Sequence, residues 1–256
     1  KISGVWIMAY TTIDDPSAHF NTVLWSGNSS TQSITGVGFQ PDFVWLKSRT
    51  NSASHRLNDS SRGVNKQLAS NSSDAESSFT TMLTSFDSDG FTLGNNVGIN
   101  GTGYTNVAWN WKANGGTTTT NDASSTSVGT IDSVIQANTT AGFSIVTYTG
   151  TGSNGTIAHG LGATPQMYWV RRRSADEHWQ VYSEEIGNTK YFQITTDGEI
   201  TGSNRWNNTS PTSSVFSVGD HASVNGSSDT YVAYCFTDIK GYSKFGSYTG
   251  NGNADG

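Results

Sequence analysis

Side chains able to do chemistry are sparse in this chain, where charged residues make up 13% of the 256. Glycoside hydrolysis needs two carboxylates flanking one bond. The acidic pairs available are Asp14-Asp15, Asp74 with Glu76, Asp176-Glu177, Glu184-Glu185 and Asp197 with Glu199. None stands among aromatic subsite residues, and neighbours along a strand point to opposite faces, so they read as solvated turn charges. Asp87-Ser88-Asp89-Gly90 has the alternating carboxylates that open a calcium loop. Gly98 occupies the place of the closing glutamate, and Phe91-Thr92-Leu93 follows as a strand. A hairpin turn is expected there, with a lectin-type calcium site as the alternative. His19, His55, His159, His178 and His221 come with no Gly-x-Ser-x-Gly elbow. His55 and His178 fall at matching places 123 residues apart and read as a packing equivalence. No catalytic residue, metal set or cofactor motif emerges, and the chain reads as a non-enzyme.

Recognition chemistry is better represented. Sugar sites pair flat rings with amide, carboxylate or guanidinium hydrogen bonds. Trp45, Trp109 and Trp169 lie mid-strand and read as core. Trp206 in Asn204-Arg205-Trp206-Asn207-Asn208 and Trp179 in Glu177-His178-Trp179-Gln180 are flanked by polar residues. The candidate glycan ligands are therefore Trp206, Asn204, Arg205 and Trp179. Arg171-Arg172-Arg173 reads as strand charge against Asp176, Glu177, Glu184 or Glu185, or as a contact for an acidic glycan.

These side chains must be carried by strands. Gly, Ser, Thr and Asn account for nearly half the chain, yet 8 Trp, 10 Tyr and 11 Phe are enough rings to build cores and exclude disorder. A net charge of −6 lacks the basic footprint of a nucleic-acid binder. No apolar run reaches the roughly 18 residues of a membrane helix, so no membrane insertion is expected. Cys235 is the single cysteine and lies in the apolar run Tyr231–Phe236, which reads as a buried strand. No secretory signal is recognised at the start; Met8-Ala9-Tyr10 reads as a natural beginning and Lys1–Ile7 as an extension.

Internal repetition organises the rest. Trp25-Ser26-Gly27, Tyr148-Thr149-Gly150 and Tyr248-Thr249-Gly250 share one form. Pro41 to Trp45 matches Pro165 to Trp169, and Val107-Ala108-Trp109 matches Val232-Ala233-Tyr234. These landmarks lie 123, 124 and 125 residues apart, too consistent for chance. The reading is an N-terminal segment 1–19, a module 20–114, a Gly/Thr-rich linker 115–142, a second module 143–239, and in 240–256 the start of a third repeat or a donated strand. Asp89-Gly90, Asn100-Gly101, Asp197-Gly198 and Asn225-Gly226 mark hairpin turns between short strands. The expected fold is all-β: tandem antiparallel β-sandwich modules, jelly-roll or concanavalin-like.

Met8–Phe20, Gly38–Lys47, Ser60–Val64, Ser85–Gly94 and Val107–Lys112 together resemble a family of marine bacteriophage virion structural proteins, often labelled tail-fibre or lectin-like. The resemblance covers about residues 8–116 and thins over the second module, where the Asp-Ser-Asp-Gly and Ser-Arg-Gly stretches do not recur. It implies a virion protein, extracellular after lysis, that self-associates into an oligomer or fibre and adheres to a host surface glycan. A soluble carbohydrate-binding module or lectin is the alternative, and a glycan depolymerase a third.

Overall fold

The computed structural model describes residues 11–195, 198–202 and 204–253. It is nearly all-β. The first half comprises β1 (Phe20–Ser26), β2 (Gln32–Thr35), β3 (Phe43–Ser48), β4 (Arg56–Asp59), β5 (Lys66–Ala69), β6 (Ser77–Ser78), β7 (Leu83–Asp87), β8 (Gly90–Leu93), the one-turn helix α1 (Val97–Asn100) and β9 (Thr105–Trp111). The second adds β10 (Thr119–Asn121), α2 (Ala123–Thr126) and β11 (Ser133–Asn138). It then continues through β12 (Phe143–Thr149), β13 (Gly155–Ala158), β14 (Met167–Arg172), β15 (Gln180–Ser183), β16 (Lys190–Gln193), β17 (Glu199–Thr201), β18 (Val215–Val218), α3 (Ala222–Asn225) and β19 (Thr230–Phe236).

The repeat in the sequence is a repeat in topology. The large sheet of the first half runs β1-β9-β3-β4-β5-β6, and that of the second runs β12-β19-β14-β15-β16-β17, with β11 and β10 added beyond β12. All the named strand pairs are antiparallel. Each large sheet carries a small one on its outer face, β2-β8-β7 in the first half and β13-β18 in the second. Val23, Val44, Leu46, Phe91 and Ile99 fill the first of these cores. Val146, Tyr168, Val170, Trp206 and Phe216 fill the second.

One hydrogen-bonding device is used twice. The Asn100 amide at the end of α1 donates to Ser30 O and Gly94 O, and its oxygen accepts from Asn28 N. Asn225 at the end of α3 donates to Ser153 O and Gly219 O and accepts from Thr151 N. Beside each, the strand aromatic donates to a helix carbonyl, Trp25 Nε1 to Ile99 O and Tyr148 Oη to Val224 O. The glycine two residues on must be glycine, because a Cβ at Gly27 or Gly150 would lie 2.2 or 2.3 Å from the carbonyl oxygen of Gly101 or Gly226. Asn100-Gly101 and Asn225-Gly226 therefore end short helices instead of turning hairpins. Asp89-Gly90 does turn one, between β7 and β8.

The stretch 115–142 is no linker. It supplies β10, α2 and β11, which extend the second large sheet. Its glycine start is pinned: the buried Asp42 carboxylate accepts from the amides of Ala113, Gly115 and Gly116. Residues 240–253 form no long strand; Phe245 packs on Phe236, while Tyr248 is 93% exposed. Lys1–Ile7, Met8–Tyr10 and Asp197 of the expected turn fall outside the described residues.

Candidate functional site

The two large sheets face each other, and their inner faces make a third core. Phe43, Leu57 and Leu68 of the first half meet Phe143, Ile145, Trp179, Val232 and Tyr234 of the second. This is why β3 carries large apolar residues on both faces, Phe43 and Trp45 toward the seam and Val44 and Leu46 toward the first core. Ring contacts cross the seam at Phe43 to Tyr234 (4.3 Å between centroids), Phe43 to Phe143 (5.9 Å) and Trp45 to Trp169 (5.8 Å, edge-on). Trp45 and Trp169 occupy equivalent places in the two repeats. Equivalent residues touching across an interface is the pattern of an isologous dimer, here within one chain.

A charged network is buried in the same seam. The Arg62 guanidinium pairs with Asp59, with Glu76 at 2.9 Å and with Leu57 O, and donates to Tyr234 Oη at 3.0 Å. Tyr234 in turn donates to Asp59. Arg173 forks onto Glu76 with two bonds of 2.9 Å. Burial works against charge on both Arg62 and Glu76, yet their partners outweigh it: Asp59, Tyr234 and Glu76 hold Arg62 protonated, and Arg173 with Arg62 holds Glu76 below the usual carboxylate range. Arg171 is wholly buried, donates to Ser72 O and Asp74 O, and lies over Trp179. Burial lowers its pKa to about 10.

The sequence candidates for sugar contact are not a surface group. Trp206 and Trp179 are both 0% exposed. Trp206 Nε1 donates to Lys190 O, and its ring packs edge-on to Tyr168 and Tyr182. Trp179 Nε1 donates across the seam to Ala69 O. A ring with no free face cannot receive a sugar, so both assignments are corrected to core. Their polar neighbours serve the fold. Arg205 is buried, donates to Gln180 and Tyr191, and lies over the Tyr191 ring, while Asn204 Oδ1 accepts from Arg205. Asn207 and Asn208 hold left-handed backbone at φ +50° and +48°, which Asn tolerates better than most residues. Arg172 pairs with Asp229 and Arg173 with Glu76, not with Asp176, Glu177, Glu184 or Glu185.

Several other groups singled out in the sequence are likewise committed to local structure. Asp89 accepts from Gly36 N and Gly38 N, Asp15 caps the turn Pro16–Ala18, and Asp176 caps Ala75 N. Cys235 is buried. Among the described residues no three His, Cys, Asp or Glu side chains cluster as metal ligands.

What the seam leaves open is a cleft of about 340 Å³ at one end, lined by Trp45, His55, Ser70, Asn71, Ile194 and Thr195. Trp45 forms a half-buried wall braced by Trp109 (5.7 Å) and Trp169. Ser70-Asn71 follow β5 and Ile194-Thr195 follow β16, so equivalent loop ends face each other across it. His55 N donates to Asn71 Oδ1 (2.8 Å), and Thr195 Oγ1 bonds His178 Nδ1 (2.6 Å). Burial first and then Lys47 push the His55 pKa below its ordinary value, leaving a neutral imidazole at pH 7. The cleft was missed in the sequence because its pieces lie 45 to 195 residues along the chain. The signal lay in alignment: the strand registers set Leu46 opposite Arg56 and Val170 opposite Gln180. The offset is thus 124, and His55 corresponds to Trp179, not to His178.

Searches of curated proteins and of solved structures return no match. The family described as a domain of unknown function, DUF7483, matches residues 15–256, and the chain belongs to that family.

Proposed function

We propose that this chain is a structural component of a phage particle, a block of a fibre or appendage that holds on to the host surface and catalyses nothing itself. In this reading each half is a β-sandwich module, jelly-roll or concanavalin-like, and the two are stacked sheet to sheet. The observation that carries it is the seam: two copies of one sheet joined by an aromatic layer and a buried ion network make a stiff spacer, which is what an appendage needs. The resemblance over residues 8–116 points the same way, as does the low charge.

Self-association has a physical basis. Among the described strands β1 pairs with β9 alone, whereas the equivalent β12 is covered by β11. β1 is seven residues long, without charge or proline, and shows Leu24 at 63% exposure. An uncovered edge of this kind is a template for pairing with another chain. Tyr248-Thr249-Gly250 offers a matching segment: it repeats the opening-strand signature, yet nothing lies near a Cβ built on Gly250. A soluble sugar-binding module is the second reading, favoured by the seam cleft. Incubating the chain with host lipopolysaccharide or capsule separates both from the depolymerase alternative: retention on the glycan without new reducing ends supports adhesion, and steady release of reducing ends would replace it with hydrolysis.

A further inference from the structure

Among the described residues three openings stand out. A threonine-rich groove of about 500 Å³ has two charged residues, Asp132 and Arg173, and both are engaged, with Ala123 N and with Glu76. An apolar cavity of about 200 Å³ between Phe20, Trp111, Phe143 and Phe236 is covered by the chain's own Tyr242 and Phe245. The seam cleft is of another kind. It is open, mixed in chemistry, and lies where His55 stands at the place that Trp179 holds in the second repeat.

In the second half Trp179 fills the seam and bonds Ala69 O, the residue just before Ser70. Its counterpart across the pseudo-symmetric interface is His55, which is smaller and only partly buried, and faces the chain just past Gln193, the counterpart of Ala69. The space a second tryptophan would occupy is the cleft. A packed interior closes such gaps, and Trp179 shows how this fold does so. Here the gap is retained and lined by one half-buried indole, one aliphatic side chain and four polar side chains. Among the described residues that line it there is no Asp, Glu, Lys or Arg, so those residues favour an uncharged ligand. Its volume lies at the small end of ligand sites, which run from roughly 300 to 1,000 Å³. The Asn71 amide nitrogen and the Ser70 hydroxyl have no hydrogen-bond partner among the described residues.

We infer that the seam cleft binds one ring of an uncharged sugar, its C–H face against Trp45 and its hydroxyls on Asn71, His55, Ser70 and Thr195. An indole face is the negative side of the ring quadrupole and attracts the polarised C–H bonds of a pyranose, while the amide, imidazole and hydroxyls can each donate or accept. The inference rests on the adhesive reading above and names the ligand class and the residues for it.

The test uses the full chain and methyl glycosides of glucose, galactose, mannose and N-acetylglucosamine, followed by saturation-transfer NMR and tryptophan fluorescence. At least one should bind saturably. His55→Trp should close the cleft as Trp179 does in the other half, weakening that binding tenfold or more with no fall in Tm. Asn71→Ala should weaken it about fivefold, the size of one hydrogen bond. If His55→Trp lowers Tm, Asn71→Ala combined with Thr195→Val takes its place, with the same tenfold loss expected. Binding that survives these variants unchanged would place the sugar elsewhere and overturn the assignment while leaving adhesion standing. No saturable binding by the wild-type chain to any of the four glycosides overturns the assignment; if the chain is also not retained on host lipopolysaccharide or capsule, the adhesive reading falls with it.

Discussion

Trp206 and Trp179 show how a residue is read by its neighbours and placed by its register. Asn204, Arg205, Asn207 and Asn208 make Trp206 look solvent-facing, but each polar neighbour has work inside the chain, from the Arg205 bonds to Gln180 and Tyr191 to the left-handed backbone of the two asparagines. Trp206→Ala should therefore destabilise the protein by about 3–5 kcal/mol, the usual cost of emptying a buried ring site, and leave sugar binding per folded molecule unchanged. Urea unfolding alongside a glycoside titration checks this; a stable variant that has lost binding would restore Trp206 as a ligand. Ionisation is a residue-scale property too. Burial pushes Tyr148, Tyr168 and Tyr234 well above the ordinary phenol value, and Tyr231 and Cys235 up to about 12. In the unfolded chain these groups lose their protons near pH 10 for tyrosine and near 8.5 for cysteine. The folded state thus holds protons that the unfolded state releases. Their contribution is fully present below about pH 8 and is lost as pH rises toward 12. The urea midpoint should fall steadily between pH 8 and pH 11, and a flat profile over that span would contradict the burial of these rings.

At the scale of elements, the duplicated asparagine is the piece on which each half turns. Asn100 and Asn225 each tie the opening strand, a loop carbonyl and the end of a one-turn helix together. Asn225→Ala would strand those carbonyls in a dry site and should cost about 1–3 kcal/mol. Asn100→Ala should cost the same within error, because the two sets of partners match atom for atom. Unequal losses, read from paired urea curves, would mean that the repeat is one of topology only. Much of this was legible in the sequence. The aromatic-hydroxyl-glycine and Pro-to-Trp landmarks located β1, β3, β9 and their counterparts, since those residues are fixed by close backbone approach and by paired registers. The seam was not legible, because Phe43, Trp111, Phe143 and Phe236 look in sequence like the core of their own module. Only the packing reveals that they face a second sheet. The same ambiguity concealed β11, whose Thr/Asn-rich approach reads as linker until Asp42 is seen holding the Gly115 and Gly116 amides at its start. The cleft was unreadable for a different reason: an offset of 123 instead of 124 pairs His55 with the wrong residue.

For the whole molecule, the seam decides how the chain behaves. An aromatic layer with Arg62 buried in it packs the two halves together, with the β1 edge on one of them. A block of that kind suits repetition: weak contacts to a surface add up when many copies are held in fixed register. The claim underlying this account is that copies do associate. It is tested most directly by light scattering on a size-exclusion column, with negative-stain microscopy of the same fractions. The account predicts a mass that is a multiple of 27.3 kDa, as a defined oligomer or an open filament. A single species at 27.3 kDa, unchanged with rising concentration, would contradict it.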